Sequence, residues 1–177
     1  MRRRSAGFTL VELMIVVAII GVLSSLAIYG IARYLKTAKT AEATRSLGAL
    51  ENGSRQQFGR ETPWPPGSTN ADRYEHVFCP DAPKTPSAVP VATKIAVPNA
   101  AWTTEGWTCL KFVINDPQYY SYSYKSNSQT GTTAQYTATA QGDLDGNGTT
   151  SLYELMGRGN SYGDSIRTNF RVVQGSE

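Results

Sequence analysis

The run Asp143-Leu144-Asp145-Gly146-Asn147-Gly148-Thr149-Thr150-Ser151-Leu152-Tyr153-Glu154 has the residue types and spacing of a calcium loop, D-x-[DN]-x-[DN]-G-x5-E. In such a loop a hard cation takes oxygens from the side chains at positions 1, 3, 5 and 12 and from the carbonyl at position 7. Here these are Asp143, Asp145, Asn147, Glu154 and Thr149, with Gly148 at the sharp turn. The chemistry expected is structural: a Ca²⁺ ion would hold two carboxylates together and lock the turn. A second reading is an Asp/Asn-Gly hairpin turn with no ion, because both dipeptides favour tight turns. The flanks, Gln135–Gln141 and Thr149–Leu155, read as strands rather than the two helices of an EF-hand.

A different chemistry is suggested by Glu12. From Phe8 to Ala32 it is the one charged side chain in 25 residues. As a helix that stretch reaches ~38 Å at ~1.5 Å per residue, enough for a bilayer core of ~30 Å. Arg2, Arg3 and Arg4 precede it, so the positive-inside rule leaves that end in the cytoplasm and translocates the rest. A plain signal anchor gains nothing from an intramembrane carboxylate, which costs roughly 2.5–3.5 kcal/mol at the bilayer centre and less near an end. A cleaved secretory signal has a shorter apolar region and small residues at its end. The remaining reading gives Glu12 a partner of opposite charge.

The residues Gly7-Phe8-Thr9-Leu10-Val11-Glu12-Leu13-Met14-Ile15-Val16-Val17-Ala18-Ile19-Ile20-Gly21 resemble the class III signal of type IV prepilins and type II secretion pseudopilins. The resemblance covers about residues 1–50. It implies cleavage between Gly7 and Phe8 by a prepilin peptidase, N-methylation of the new Phe8 amine, and a Glu12 that neutralises the Phe8 amine of a neighbouring subunit during assembly. Two opposite charges in an apolar phase satisfy each other, and a misregistered subunit leaves both unpaired. Where many family members carry Pro after an Ala-Ile pair, Ala27-Ile28 here is followed by Tyr29 and Gly30. No backbone hydrogen bond is therefore forcibly lost at that point.

These groups need elements to position them. After the apolar half, Leu35, Ala38, Ala43, Leu47, Leu50 and Phe58 recur at helical spacing, with Lys36, Lys39, Glu42, Arg45, Glu51 and Arg55 around them. One helix is expected from Phe8 to about Gln57. Residues 59–106 hold eight of the nine prolines and read as a connector with little regular structure. Cys79 lies in it and Cys109 just beyond. Two cysteines in an exported domain favour a disulfide over two buried thiols. Closing that 31-residue loop is worth roughly 3.5–4 kcal/mol on the chain-entropy model. Strands are expected at Trp107–Ile114, Tyr119–Lys125, Gln135–Gln141, Thr149–Leu155 and Arg167–Val173. Tyr120, Tyr122 and Tyr124 share one face, which either fills a helix–sheet interface or stacks on glycans.

The fold expected is α+β: a long N-terminal α-helix spine packed on a C-terminal antiparallel β-sheet, as the pilin resemblance implies. The divisions are a leader at 1–7, an apolar half-helix at 8–32, an amphipathic half at 33–58, and a sheet-bearing head at 59–177 with the connector 59–106. The net charge is +3, but without Arg2–Arg4 the basic count falls from 17 to 14, equal to the acidic count. A nucleic-acid binder carries its basic residues on one face of its domain, so nucleic acid is not an expected partner. His76, the lone histidine, has no catalytic constellation around it. No glycine-rich phosphate loop, HExxH or GxSxG is present, and no enzymatic activity is expected. The resemblance implies as partners other pilin subunits, the prepilin peptidase/N-methyltransferase, the assembly platform and the inner membrane. It implies a filament, either a pilus or a type II secretion pseudopilus. An anchored periplasmic binding or enzymatic domain is the reading of another class.

Overall fold

The computed structural model describes residues 7–65 and 73–173, and only the backbone of Tyr29, Ala32 and Arg33. The basic leader Arg2–Arg4 lies outside the described residues, as does part of the connector. Two compact units divide the chain, Met1–Ala38 and Lys39–Glu177.

Helix α1 runs from Leu10 to Phe58. It starts two residues later than the sequence periodicity predicts, because Thr9 is its N-cap. It continues unbroken through Gly30, consistent with the missing Pro. In the first unit the stretch Leu10–Ile28 is long and apolar enough to cross a membrane, and none of it is buried. Leu10, Val11, Leu13, Met14, Ile15, Val17, Leu23, Leu26 and Ile28 are each more than half exposed. The helix is apolar all round, which in water would be unsustainable and in lipid or among like helices is stable.

The second unit is built on the remainder of α1. Its apolar stripe begins at Ala43, not at Leu35 or Ala38, which are exposed. Ala43, Leu47, Leu50 and Phe58 are fully buried. After α1 come strands β1 (Glu61–Trp64) and β2 (Arg73–His76), an isolated antiparallel pair. His76 sits at its end, with Nδ1 2.8 Å from the Phe58 carbonyl, so the histidine caps the C-terminal end of α1.

Strand β3 (Ala82–Thr85), a 3-10 turn (Asn99–Trp102) and helix α2 (Glu105–Leu110) follow. The described part of the connector thus holds more regular structure than its proline content suggests. β3 carries Pro83 and lies at the edge of a sheet, where a missing N–H leaves no ladder bond broken. The expected strand Trp107–Ile114 is corrected: Trp107 and Leu110 are the buried i and i+3 positions of α2, which ends at Lys111 in the left-handed region, φ 52°. A short apolar run has no period of its own that separates helix from strand. Here the packing of Trp107 and Leu110 and the Cys79–Cys109 disulfide decide for helix.

Strands β4 (Ser121–Ser126), β5 (Gln135–Gly142), β6 (Ser151–Gly159) and β7 (Ser165–Val173) complete an antiparallel sheet in the order β3-β4-β5-β6-β7. β5 and β6 alternate cleanly, while β4 buries Ser121 as well as Tyr122 and Tyr124. Tyr122, Tyr124, Tyr136, Ala138, Ala140, Tyr153 and Leu155 face inward and are buried, as period-two patterning requires. The tyrosine face is therefore interior and not a surface for glycans. Burial pushes the Tyr136 hydroxyl up to about 12 and raises Tyr122 and Tyr124 further, so all stay neutral. The Tyr124 and Ser54 hydroxyls meet at 3.1 Å between sheet and helix.

A register shift between Met156 and Gly157 places Arg167 opposite Gly157. Arg167 there grips Glu51 of α1 with a two-pronged ion pair, its Nε 3.0 Å from Oε1 and its other prong on Oε2. Glu51 is 7% exposed and not on the solvated side where helical spacing places it. A buried carboxylate is tolerated because the guanidinium fork satisfies both oxygens.

The approach of α1 to α2 depends on Gly53. A methyl there would lie 2.3 Å from the Leu110 carbonyl oxygen, a backbone atom that has no rotamer to escape into. Gly→Ala in a helix gains about 1 kcal/mol of propensity, while overpacking a fixed contact costs about 1–3 kcal/mol. Gly53→Ala is expected to lower the melting temperature. Gly48→Ala, where no atom lies within 4 Å, is expected to raise it. Equal shifts of both variants would refute the close contact.

Candidate functional sites: the N-terminal segment and the acidic turn

Gly7 and Phe8 precede α1 with no regular structure, and Phe8 is 80% exposed. No atom would obstruct a Cβ on Gly7. The scissile position expected from the sequence is therefore an exposed peptide outside regular structure. Immediately after it stands a reciprocal cap. The Thr9 N–H donates to Glu12 Oε2 at 2.9 Å, the Thr9 hydroxyl donates to the same oxygen at 2.8 Å, and the Glu12 N–H lies 3.2 Å from Thr9 Oγ1. This is a capping box, which satisfies amides that the first helical turn leaves orphaned. Thr9 is a functional neighbour of Glu12 that the charge argument missed, although T-x-x-E is itself a sequence signature of a helix start. One Glu12 oxygen is engaged locally, and Oε1 makes no hydrogen bond among the described residues.

The second candidate is the turn between β5 and β6. Asp143 is 2% exposed. Its Oδ1 accepts the Gly146 N–H at 2.7 Å and its Oδ2 the Gly148 N–H at 3.0 Å. Asp145 Oδ1 accepts the Asn147 N–H at 3.1 Å, and Asn147 Oδ1 accepts the Thr149 N–H at 2.6 Å. Gly146 and Gly148 have φ of +78° and +87°, a region that side chains rarely adopt. The backbone of Asp143 is pinned as well: its N–H donates to the Pro90 carbonyl at 3.2 Å, and its own carbonyl accepts the Ala92 N–H at 2.7 Å.

Asp143, Asp145, Asn147 and Thr149 are thus together, and Glu154 is not with them. Glu154 lies on β6 opposite Arg171 of β7 and receives that guanidinium's Nε at 2.9 Å. The reason is the strand period. Ser151, Tyr153 and Leu155 are buried on the inner face, so Glu154 points to the outer one. An EF-hand loop reaches its twelfth residue through a helical turn, and here the chain is extended. Among the described residues no group of three or more His, Cys, Asp or Glu side chains gathers in metal-binding proximity. The turn half of the sequence pattern stays together and its twelfth position is drawn away.

Beside the turn lies a polar cluster that no motif announces. Lys39 of α1 donates to the Leu144 carbonyl at 3.3 Å. Glu42 accepts the Tyr119 N–H at 2.8 Å and has Lys94 at 3.9 Å. Burial pushes the Glu42 carboxyl above its usual range, offset in part by the Tyr119 amide and Lys94. The cluster ties α1 to the turn and to the segment before β4.

Comparison with known proteins bears on the first site. A family model described as the prokaryotic N-terminal methylation motif matches residues 2–28. The type IV major pilin protein PilA of Myxococcus xanthus (strain DK1622) is 43% identical over 58 residues, 33% of this chain and 26% of that protein. The match thus spans about a quarter of the relative's length, and no solved structure matches. The exposed Gly7–Phe8 peptide, the Thr9–Glu12 cap and the apolar start of α1 therefore lie in a segment similar to the prokaryotic N-terminal methylation motif, in a chain that is similar over 58 residues to a type IV major pilin.

Proposed function

We propose that this chain is a structural subunit of a type IV pilus. It would be held in the inner membrane by Leu10–Ile28, cut after Gly7 by a prepilin peptidase, methylated at Phe8 and packed into a filament by an assembly platform. The observation that carries this reading is the first turn of α1: one carboxylate, Glu12, at the head of a helix that is apolar and exposed all round. A lone charge there has a use if a neighbour brings the opposite one, and a cleaved chain has it in the Phe8 amine. Type II secretion pseudopilins share this motif, so the same geometry serves a periplasmic pseudopilus.

The test is mass analysis of the N-terminal peptide from native membranes, together with filaments sheared from the cell surface. A mature chain beginning at methylated Phe8 and found in sheared filaments is the expected result. Gly7→Glu should retain the leader, and Glu12→Ala should be processed yet absent from filaments. A processed chain that never reaches the surface would favour the pseudopilus. An intact leader would leave an anchored periplasmic domain.

Calcium enters this reading only as a ligand of the acidic turn, with oxygens from Asp143, Asp145, Asn147 and the Thr149 carbonyl and none from Glu154. At the Kd of ~10⁻⁴–10⁻³ M usual for extracellular modules, about 1 mM calcium would stabilise the unit by about 0.4–1.4 kcal/mol, a rise in melting temperature of about 1–6 °C, whereas no change would leave the turn closed by its own amides alone. A rise of several degrees that disappears in Asp145→Asn would restore the ion.

A further inference from the structure

We propose that Asn147 is an acceptor for an N-linked glycan. Asn147-Gly148-Thr149 is an N-x-T acceptor sequence. A carboxamide nitrogen is a poor nucleophile because its lone pair is delocalised into the carbonyl. It becomes reactive when a donor polarises the carbonyl oxygen and an acceptor draws on the N–H. Both partners are in place. Asn147 Oδ1 accepts the Thr149 N–H at 2.6 Å, and Asn147 Nδ2 donates to Asp145 Oδ2 at 3.2 Å. The second Asp145 oxygen takes the Asn147 backbone N–H at 3.1 Å and so fixes the carboxylate beside the amide.

Presentation points the same way. Asn147 and Thr149 are exposed, and no atom lies within 4 Å of where a Cβ on Gly148 would stand. A bulky donor has room to approach. The other N-x-[ST] in the chain, Asn52-Gly53-Ser54, is the counterexample. Ser54 is fully buried inside α1 with its hydroxyl on the Leu50 carbonyl, and Leu50, not an acid, stands two residues before Asn52.

The donor class is a sugar linked to a polyisoprenyl diphosphate, presented by a membrane glycosyltransferase. The bond from Asn147 Nδ2 to the anomeric carbon forms as the bond from that carbon to the diphosphate oxygen breaks. The diphosphate leaves with the electron pair, and the amide proton passes to the Asp145 carboxylate and on to solvent. The inference rests on the export of the sheet-bearing unit contained in the function proposed above, because donor and turn must meet in one compartment.

The test is tryptic mass spectrometry of the full chain from its native cells. Asn147 falls in the peptide Ser126–Arg158, which has no internal Lys or Arg. The expected result is a mass increment of a whole number of sugar residues, localised to Asn147. It should be lost in Asn147→Gln and Thr149→Ala and kept in Thr149→Ser. An unmodified peptide, the small gain of deamidation alone, or an increment that survives Asn147→Gln overturns the proposal. The same digest separates the two readings. An N-terminal peptide beginning at Phe8 beside an unmodified Ser126–Arg158 removes the glycan alone, whereas an intact leader removes the filament function.

Discussion

Trp107→Ala is expected to be the most damaging single substitution in the sheet-bearing unit. Trp107 is fully buried, packs edge-on to Trp102 with centroids 5.1 Å apart, and lies 5.5 Å from the Phe112 ring. Phe112 in turn meets Tyr122 of β4 at 5.8 Å, so the indole links α2 to the inner face of the sheet. Its Nε1 donates to Thr85 Oγ1 of β3 at 3.0 Å. Truncating a buried Trp costs about 3–5 kcal/mol, against a total domain stability of about 5–15 kcal/mol. For a unit of this size that is a fall in melting temperature of about 10 °C or more. Trp107→Phe keeps most of the volume and loses the hydrogen bond. Trp102 supplies the control, because its buried Nε1 has no hydrogen-bond partner among the described residues. Trp102→Phe should cost less than Trp107→Phe in thermal melts followed by near-ultraviolet circular dichroism. If the two cost the same, the Thr85 bond contributes nothing measurable.

Removing the Cys79–Cys109 disulfide comes next in size. It closes a loop of separation 30, and losing such a bond from a small exported domain costs about 2–5 kcal/mol. The bond holds α2 against the segment entering β3, at the point where a Cβ on Gly106 would meet the Asp81 carbonyl at 2.4 Å. The paired variant Cys79→Ala/Cys109→Ala should therefore melt well below the parent, and a reductant should lower the parent's melting temperature without affecting the variant. A parent indifferent to reductant would refute the bond. Cys109 and Trp107 share α2, so the combined loss with Trp107→Ala should fall short of the sum, as is usual for residues in one cluster. Once α2 has detached, its tryptophan has little packing left to lose.

Much of this architecture follows from local pattern. The long α1 is legible because an all-apolar run of that length followed by a 3.6-residue stripe has one solution. The strands β4 and β5 are legible because tyrosine alternates with serine in the first, and tyrosine and alanine alternate with threonine in the second, with period two. The N-terminal segment is legible because Gly7, Phe8, Thr9 and Glu12 lie close together in sequence, and a capping box needs only three residues of spacing. β3 is another matter: four residues including a proline carry no strand signal, and only the open edge of β4 makes them one.

What the sequence by itself determined is the set of features whose partners lie within a turn or two along the chain: the apolar helix, the capped carboxylate at its head, the alternating strands and the Asp143–Thr149 turn. What only the tertiary structure decided are the places where distant segments compete for the same group. Trp107–Leu110 is a helix because a disulfide and an aromatic cluster hold it so, not because of its own period. Glu51 is buried because Arg167, set opposite Gly157 by a register shift between β6 and β7, reaches its carboxylate. Glu154 leaves the acidic turn because Tyr153 and Leu155 claim the inner face and Arg171 waits on the outer one. In each case the local preference is worth a few tenths of a kcal/mol to about 1 kcal/mol, and the burial or ion pair that overrides it is worth more.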